Sequence, residues 1–148
     1  MRRANDEIAG YWNDYASSYD AEPDHGLADP LTREAWRVLL ERWLPRRPCD
    51  VADMACGTGS LTALVATLGH SVLGVDLAGN MVERARAKTD EFGERVTIRE
   101  GDVSAPALDP GTAAVFPARP IPRTPPDPQP ALVRSRSLHR PRRPPFVC

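Results

Sequence analysis

The stretch Val51-Ala52-Asp53-Met54-Ala55-Cys56-Gly57-Thr58-Gly59-Ser60 decides the fold. An apolar run carries an acidic residue near its end, passes through Gly-x-Gly, and opens an apolar helical pattern over Ser60 to Leu68. That order reads as a buried strand handing over to a helix through a loop with little side-chain bulk. Glycines let such a loop turn tightly and let a ligand approach the main chain closely. The helix start points N–H groups and a partial positive charge at whatever sits on the loop. A nucleotide, or a nucleoside-like cofactor bearing a carboxylate, suits that environment.

The pattern repeats outward from this stretch. Gly69 stands just past the helix, and Ser71 to Asp76 reads as a second strand. Asn80 to Glu91 reads as a helix with Met81, Val82 and Ala85 inward, and Gly93 follows it. Arg95 to Glu100 reads as a third strand running into Gly101-Asp102-Val103. Strands alternating with helices of this length predict right-handed crossovers and an α/β, Rossmann-like parallel sheet with flanking helices. Ligands of such sheets lie beyond the carboxyl ends of the strands, where Asp53, Asp76 and Asp102 fall. Upstream, residues 5–20 predict a helix capped by Asn5 or Asp6, with Ile8, Tyr11, Trp12, Tyr15 and Tyr19 at helical spacing. Asp29-Pro30 predicts the start of another, with an apolar stripe of Leu31, Ala35, Trp36, Leu39, Leu40 and Trp43, ended by Pro45.

The chain of 148 residues is long enough for one domain with a core of its own. Its formal net charge of -1 points to neither a nucleic-acid nor a membrane partner. The three cysteines, Cys49, Cys56 and Cys148, are odd in number and unpaired in spacing, which argues against a disulfide framework and against a zinc site; no metal is expected. The polar N-terminus and the lack of a long apolar run predict neither a signal peptide nor a membrane span, and so a cytoplasmic protein.

The near-zero total hides an asymmetry. Residues 1–111 carry 12 basic and 19 acidic side chains, and residues 112–148 carry 7 and 1. No glycine follows Gly111, and Arg-Pro and Pro-Pro pairs recur to the end. Proline at that density predicts a disordered tail over 112–148, set apart from a folded unit over 1–111. The composition also fits out-of-frame translation of GC-rich DNA from near Thr112, which yields chiefly Pro, Arg, Ala and Ser. Pro122-x-x-Pro125 and Pro141-x-x-Pro144 resemble ligands of proline-binding domains, but such short patterns arise easily in so proline-rich a tail.

Asp53-Met54-Ala55-Cys56-Gly57-Thr58-Gly59, Gly74-Val75-Asp76-Leu77 and Glu100-Gly101-Asp102-Val103 closely resemble the three cofactor motifs of class I S-adenosylmethionine-dependent methyltransferases. The segment Tyr11 to Asp20 is similar to the entry segment of their small-molecule branch. The resemblance spans roughly residues 8–110 and implies S-adenosyl-L-methionine as cofactor and a small-molecule methyl acceptor. It implies that Ala55, Cys56, Gly57, Thr58 and Gly59 pack against the methionine part, and that Asp53 faces its ammonium directly or through water. It further implies that Asp76 receives the ribose hydroxyls, with Leu77 beside it. Asp102 and the Val103 backbone would meet the adenine, Met81 would lie against it, and Tyr19 would close the methionine end. The family's first glycine is Ala55 here, a mild change. The family's sheet continues with a fourth strand beside the first; in Ala113-Ala114-Val115-Phe116-Pro117 no such strand is legible, so an incomplete sheet of three strands is expected. The acceptor half would then be missing, leaving impaired turnover or a fragment that holds the cofactor without transferring a methyl group.

A nicotinamide-dependent oxidoreductase domain is the competing reading. Its Gly-x-Gly-x-x-Gly pattern is met by Gly57 and Gly59 but broken by Thr62. No residue is assigned to catalysis. His70 reads as a surface turn residue, His25 as a solvated loop histidine, and Trp12, Trp36 and Trp43 as core packing. Cys56 reads as a small buried filler, although a thiol at a helix start can have a lowered pKa.

Overall fold

A computed structural model describes residues 2–22, 25–103, 108 and 112–115. Helix α1 covers Arg2–Tyr15 and is followed by a single 3-10 turn at Tyr19–Ala21; the expected helix over 5–20 thus starts earlier and breaks before Tyr19. Helix α2, Pro30–Trp43, starts as its sequence dictates: the Asp29 side chain accepts the Thr32 N–H at 2.7 Å, and Pro30 fills the first helical position. Its stripe is less covered than expected. Leu40 is buried and Trp36 packs partly against the core, while Leu31 is 81% exposed.

The alternation that follows is β1 (Asp50–Met54), α3 (Ser60–Thr67), β2 (Ser71–Asp76), α4 (Gly79–Thr89) and β3 (Val96–Glu100). A 3-10 segment over Asp90–Arg95 joins α4 to β3. The strands are parallel, in the order β3-β2-β1-β4, with Asp53 opposite Gly74 and Asp76 opposite Glu100. Four consecutive residues of β1 are buried, as a central strand covered on both faces requires. Gly74 is needed at a close approach: a Cβ there would lie 2.6 Å from Ile98 Cδ1 and 3.1 Å from Cys56 Sγ.

The fourth strand corrects the sequence reading. Ala113–Val115 forms β4 and pairs in parallel with Val51, Ala52 and Asp53, so β1 is flanked on both sides along those residues. Three residues with Pro117 close behind are too short a run to stand out as a strand, yet they suffice for a few ladder bonds beside a formed neighbour. The expected tail beyond Val115 lies outside the described residues.

His70 is also corrected. It is buried rather than exposed, and its Nδ1 accepts the Cys49 backbone N–H at 3.2 Å, with Cys49 Sγ at 3.4 Å. The contact ties the approach to β1 to the approach to β2. Accepting at Nδ1 requires the neutral ring with its proton on Nε2, and burial holds the imidazole below its ordinary pKa because the charged form is poorly solvated there. As pH falls through about 6.5, the unfolded chain takes up a proton that the folded chain refuses, so stability present above that pH is lost down to the folded value. The urea midpoint is therefore expected to fall between about pH 7.5 and pH 5.5. His70→Asn, which keeps an acceptor without a titrating ring, should fall less; equal falls in both proteins would contradict the assignment.

Candidate functional site

At the carboxyl ends of β1, β2 and β3 the chain forms a cleft of about 620 Å3. Its floor is the loop after β1. Ala55 and Gly57 both lie in the left-handed region, with φ of 62° and 56°, and Gly59 follows at 80° as the N-cap of α3. Gly59 must be glycine for a second reason, since a Cβ there would lie 2.9 Å from the Ala85 Cβ of α4. The loop is held by Asp76. The Asp76 Oδ2 accepts the Gly57 N–H at 2.8 Å, and Oδ1 accepts the Ala78 N–H at 2.9 Å. Burial pushes this carboxyl up, and the backbone N–H groups of Ala78, Gly57 and Leu77 pull it back part of the way.

Of the expected site residues, Ala55, Cys56, Gly57 and Thr58 line the cleft floor, and Asp76, Leu77 and Met81 line the side made by β2 and α4. Asp102 and Val103 close one end, and Tyr19 lies at the loop. The Tyr19 ring sits 3.5–3.6 Å from where a Gly57 Cβ would be. Asp53 and Gly59 are not part of the lining. Asp53 is fully buried beneath the loop, and its Oδ2 accepts the Thr62 hydroxyl at 2.6 Å. Thr62, which breaks the dinucleotide pattern, is thus tied to the acid of β1. Cys56 is buried, and burial, with the charges of Asp53 and Asp76, pushes its thiol well above the ordinary range. The lowered pKa that a helix start can give is therefore not what this thiol shows.

The opposite wall was not read from the sequence. Helix α1 lies across the cleft, and Asn5, Ile8, Tyr11, Trp12 and Tyr15 line it. Trp12 does pack, against Ala16 and Met81, but it also faces the cleft. His25 is half-buried and stacks on Tyr19, with ring centroids 4.3 Å apart, so it belongs to the wall rather than to a solvated loop. The recurrence of Tyr11, Tyr15 and Tyr19 every four residues was the available signal; it marked a packed face without showing that the face looks onto a ligand.

A family model described as a methyltransferase domain matches residues 51–141. The chain belongs to the class I S-adenosylmethionine-dependent methyltransferases. Magnesium-protoporphyrin O-methyltransferase of Rhodobacter capsulatus is 32% identical over 79 residues, which are 51% of this chain and 35% of that protein. Geranyl diphosphate C-methyltransferase of Streptomyces coelicolor A3(2) shares the fold at a TM-score of 0.57 and 17% identity, over 74% of this chain and 52% of that one. A SAM-dependent methyltransferase of Geobacter sulfurreducens, solved with S-adenosyl-L-homocysteine, shares it at 0.52 and 24%, over 68% and 42%. The chain spans about a third of the length of the curated relatives it matches. Among the described residues, no helix is long and apolar enough to cross a membrane.

Membership gives the odd residue of the loop a cost. Ala55 stands where the family pattern has glycine, and its φ of 62° strains any residue with a Cβ. Relief of that strain outweighs the extra freedom glycine gives the unfolded chain. Ala55→Gly is expected to stabilise the protein by about 0.5–1 kcal/mol in urea unfolding. A loss of stability would show that the methyl group makes compensating contacts.

Proposed function

We propose that this chain binds S-adenosyl-L-methionine in the cleft and that its methyl group passes to a small-molecule acceptor. The observation that carries the reading is Asp76. An ionised carboxylate has about four acceptor directions. The Gly57 and Ala78 amides take one on each oxygen, with the Leu77 amide also facing the group, which fixes it and leaves acceptor capacity for the ribose hydroxyls. Asp102 at the end of the cleft is suited to the adenine amino group, with the Val103 backbone at the ring edge and Met81 against its face. The Ala55 to Gly59 loop is suited to the methionine part, and Tyr19 to its closure. Asp53, beneath the loop, is placed for an electrostatic role toward the ammonium rather than for lining contact.

When bound, the cofactor supplies a methyl group already activated by its sulfonium. The chain then has to hold the acceptor in line and keep water out, which alone accounts for much of the rate. The aromatic wall of Tyr11, Trp12, Tyr15 and Tyr19 is the surface an acceptor would meet. His25, beside Tyr19, is the titratable ring at that end; it would serve as general base only for an acceptor that must lose a proton.

The test is equilibrium binding of S-adenosylmethionine to the full chain and to Asp76→Ala. Losing two charge-assisted bonds to the ribose is expected to raise Kd about a hundredfold, with the fold checked by circular dichroism. Unchanged affinity in a folded variant would remove the ribose assignment.

A further inference from the structure

Lys88, near the end of α4, is the chain's one lysine, and it points into a polar knot rather than into solvent. Its Nζ donates to Asp20 Oδ2 at 2.7 Å, to Ser60 Oγ at 2.7 Å and to Thr58 Oγ1 at 3.1 Å. Thr58 donates in turn to the other oxygen of Asp20. Burial pushes the Asp20 carboxyl up, but the bonds from Lys88 and Thr58 and the charges of Lys88 and Arg84 outweigh it and hold the group below its ordinary value. The knot joins three parts of the chain. Asp20 belongs to the turn after α1 and directly follows Tyr19, Thr58 belongs to the glycine loop, and Ser60 opens α3. Neither Lys88 nor Asp20 lines the cleft. Thr58 and Ser60, inside the knot, do line it, and so does Tyr19 next to Asp20.

From this geometry we infer that Lys88 is a positioning residue for the cofactor site: it latches the Tyr19-Asp20 turn onto the glycine loop and so seats Tyr19 over Gly57. The inference rests on the cofactor reading given above. The other tethers of α1 act elsewhere. The Asn13 side chain accepts the Asn80 N–H at 2.8 Å at the start of α4, and the Asn5 amide donates to Asp102 at 2.9 Å at the far end of the cleft. The Lys88 knot, by contrast, holds the residue that directly follows Tyr19. Three donors on one ammonium match three acceptors on three segments, a task that arginine's planar fork does not reproduce.

The test separates positioning from stability by a double-mutant cycle on the affinity for S-adenosylmethionine, measured well below the melting temperature of every variant. Lys88→Met is expected to raise Kd about tenfold in the natural chain, and to have no further effect in a Tyr19→Ala background. Asp20→Asn, which keeps the bond from Thr58 but loses the charge, should give a smaller rise in the same direction, and it replaces Lys88→Met in the cycle if that variant does not fold. A lowered melting temperature with unchanged Kd, or the same tenfold rise in both backgrounds, would overturn the latch. No binding by the natural chain would instead overturn the cofactor reading on which it rests.

Discussion

The site depends on one buried carboxylate. Asp76 sits at the end of β2, and its two side-chain oxygens hold the Gly57 and Ala78 amides. Its own backbone carbonyl accepts the Gly101 N–H at 2.9 Å. The loop after β1, the turn after β2 and the segment after β3 therefore all hang from a single residue. Taking a carboxylate out of water is costly unless hydrogen bonds replace the lost solvent, and here backbone amides do so. The same bonds orient the acceptor directions that remain. Fold and site share one cause: the bonds that make the buried charge tolerable also build the cleft around it.

The second constraint is steric. The loop can cross so close to α4 and β2 only because Gly59 leaves room for Ala85 and Gly74 leaves room for Cys56 and Ile98. That closeness brings the start of α3 and the end of α4 within reach of one lysine side chain. Lys88 then connects the covalently distant turn at Asp20 to both. The aromatic wall of α1 packs through Trp12 against Met81, and it is fixed in place by polar contacts of Asn5 and Asn13 on the helix and of Asp20 in the turn after it.

Much of this was legible in the sequence because the signals are local. Gly57-x-Gly59 with an acid before it, Asp76 and Asp102 at strand ends, and Asp29-Pro30 at a helix start each specify their own backbone. From β1 to β3, strand and helix limits came within a residue or two for the same reason. What was not legible depends on partners far along the chain. Lys88 has no local motif around it, and its three acceptors, 28 to 68 residues away, meet only in the fold. His70 looked exposed because a glycine precedes it, and only the fold places the Cys49 N–H against its ring. β4 was missed because a three-residue strand carries no pattern of its own and exists by pairing with β1. Ala55 was read as harmless because its φ cannot be seen in the residue type.

A co-crystal structure with S-adenosyl-L-homocysteine would show whether Asp76 holds the ribose. Both ribose hydroxyls are expected within hydrogen-bonding distance of the two Asp76 oxygens, with the Gly57 and Ala78 amide bonds retained and the adenine beside Asp102 and Val103. A ligand bound in the cleft with its ribose away from Asp76, or with Asp76 turned off Gly57 to reach it, would contradict the assignment.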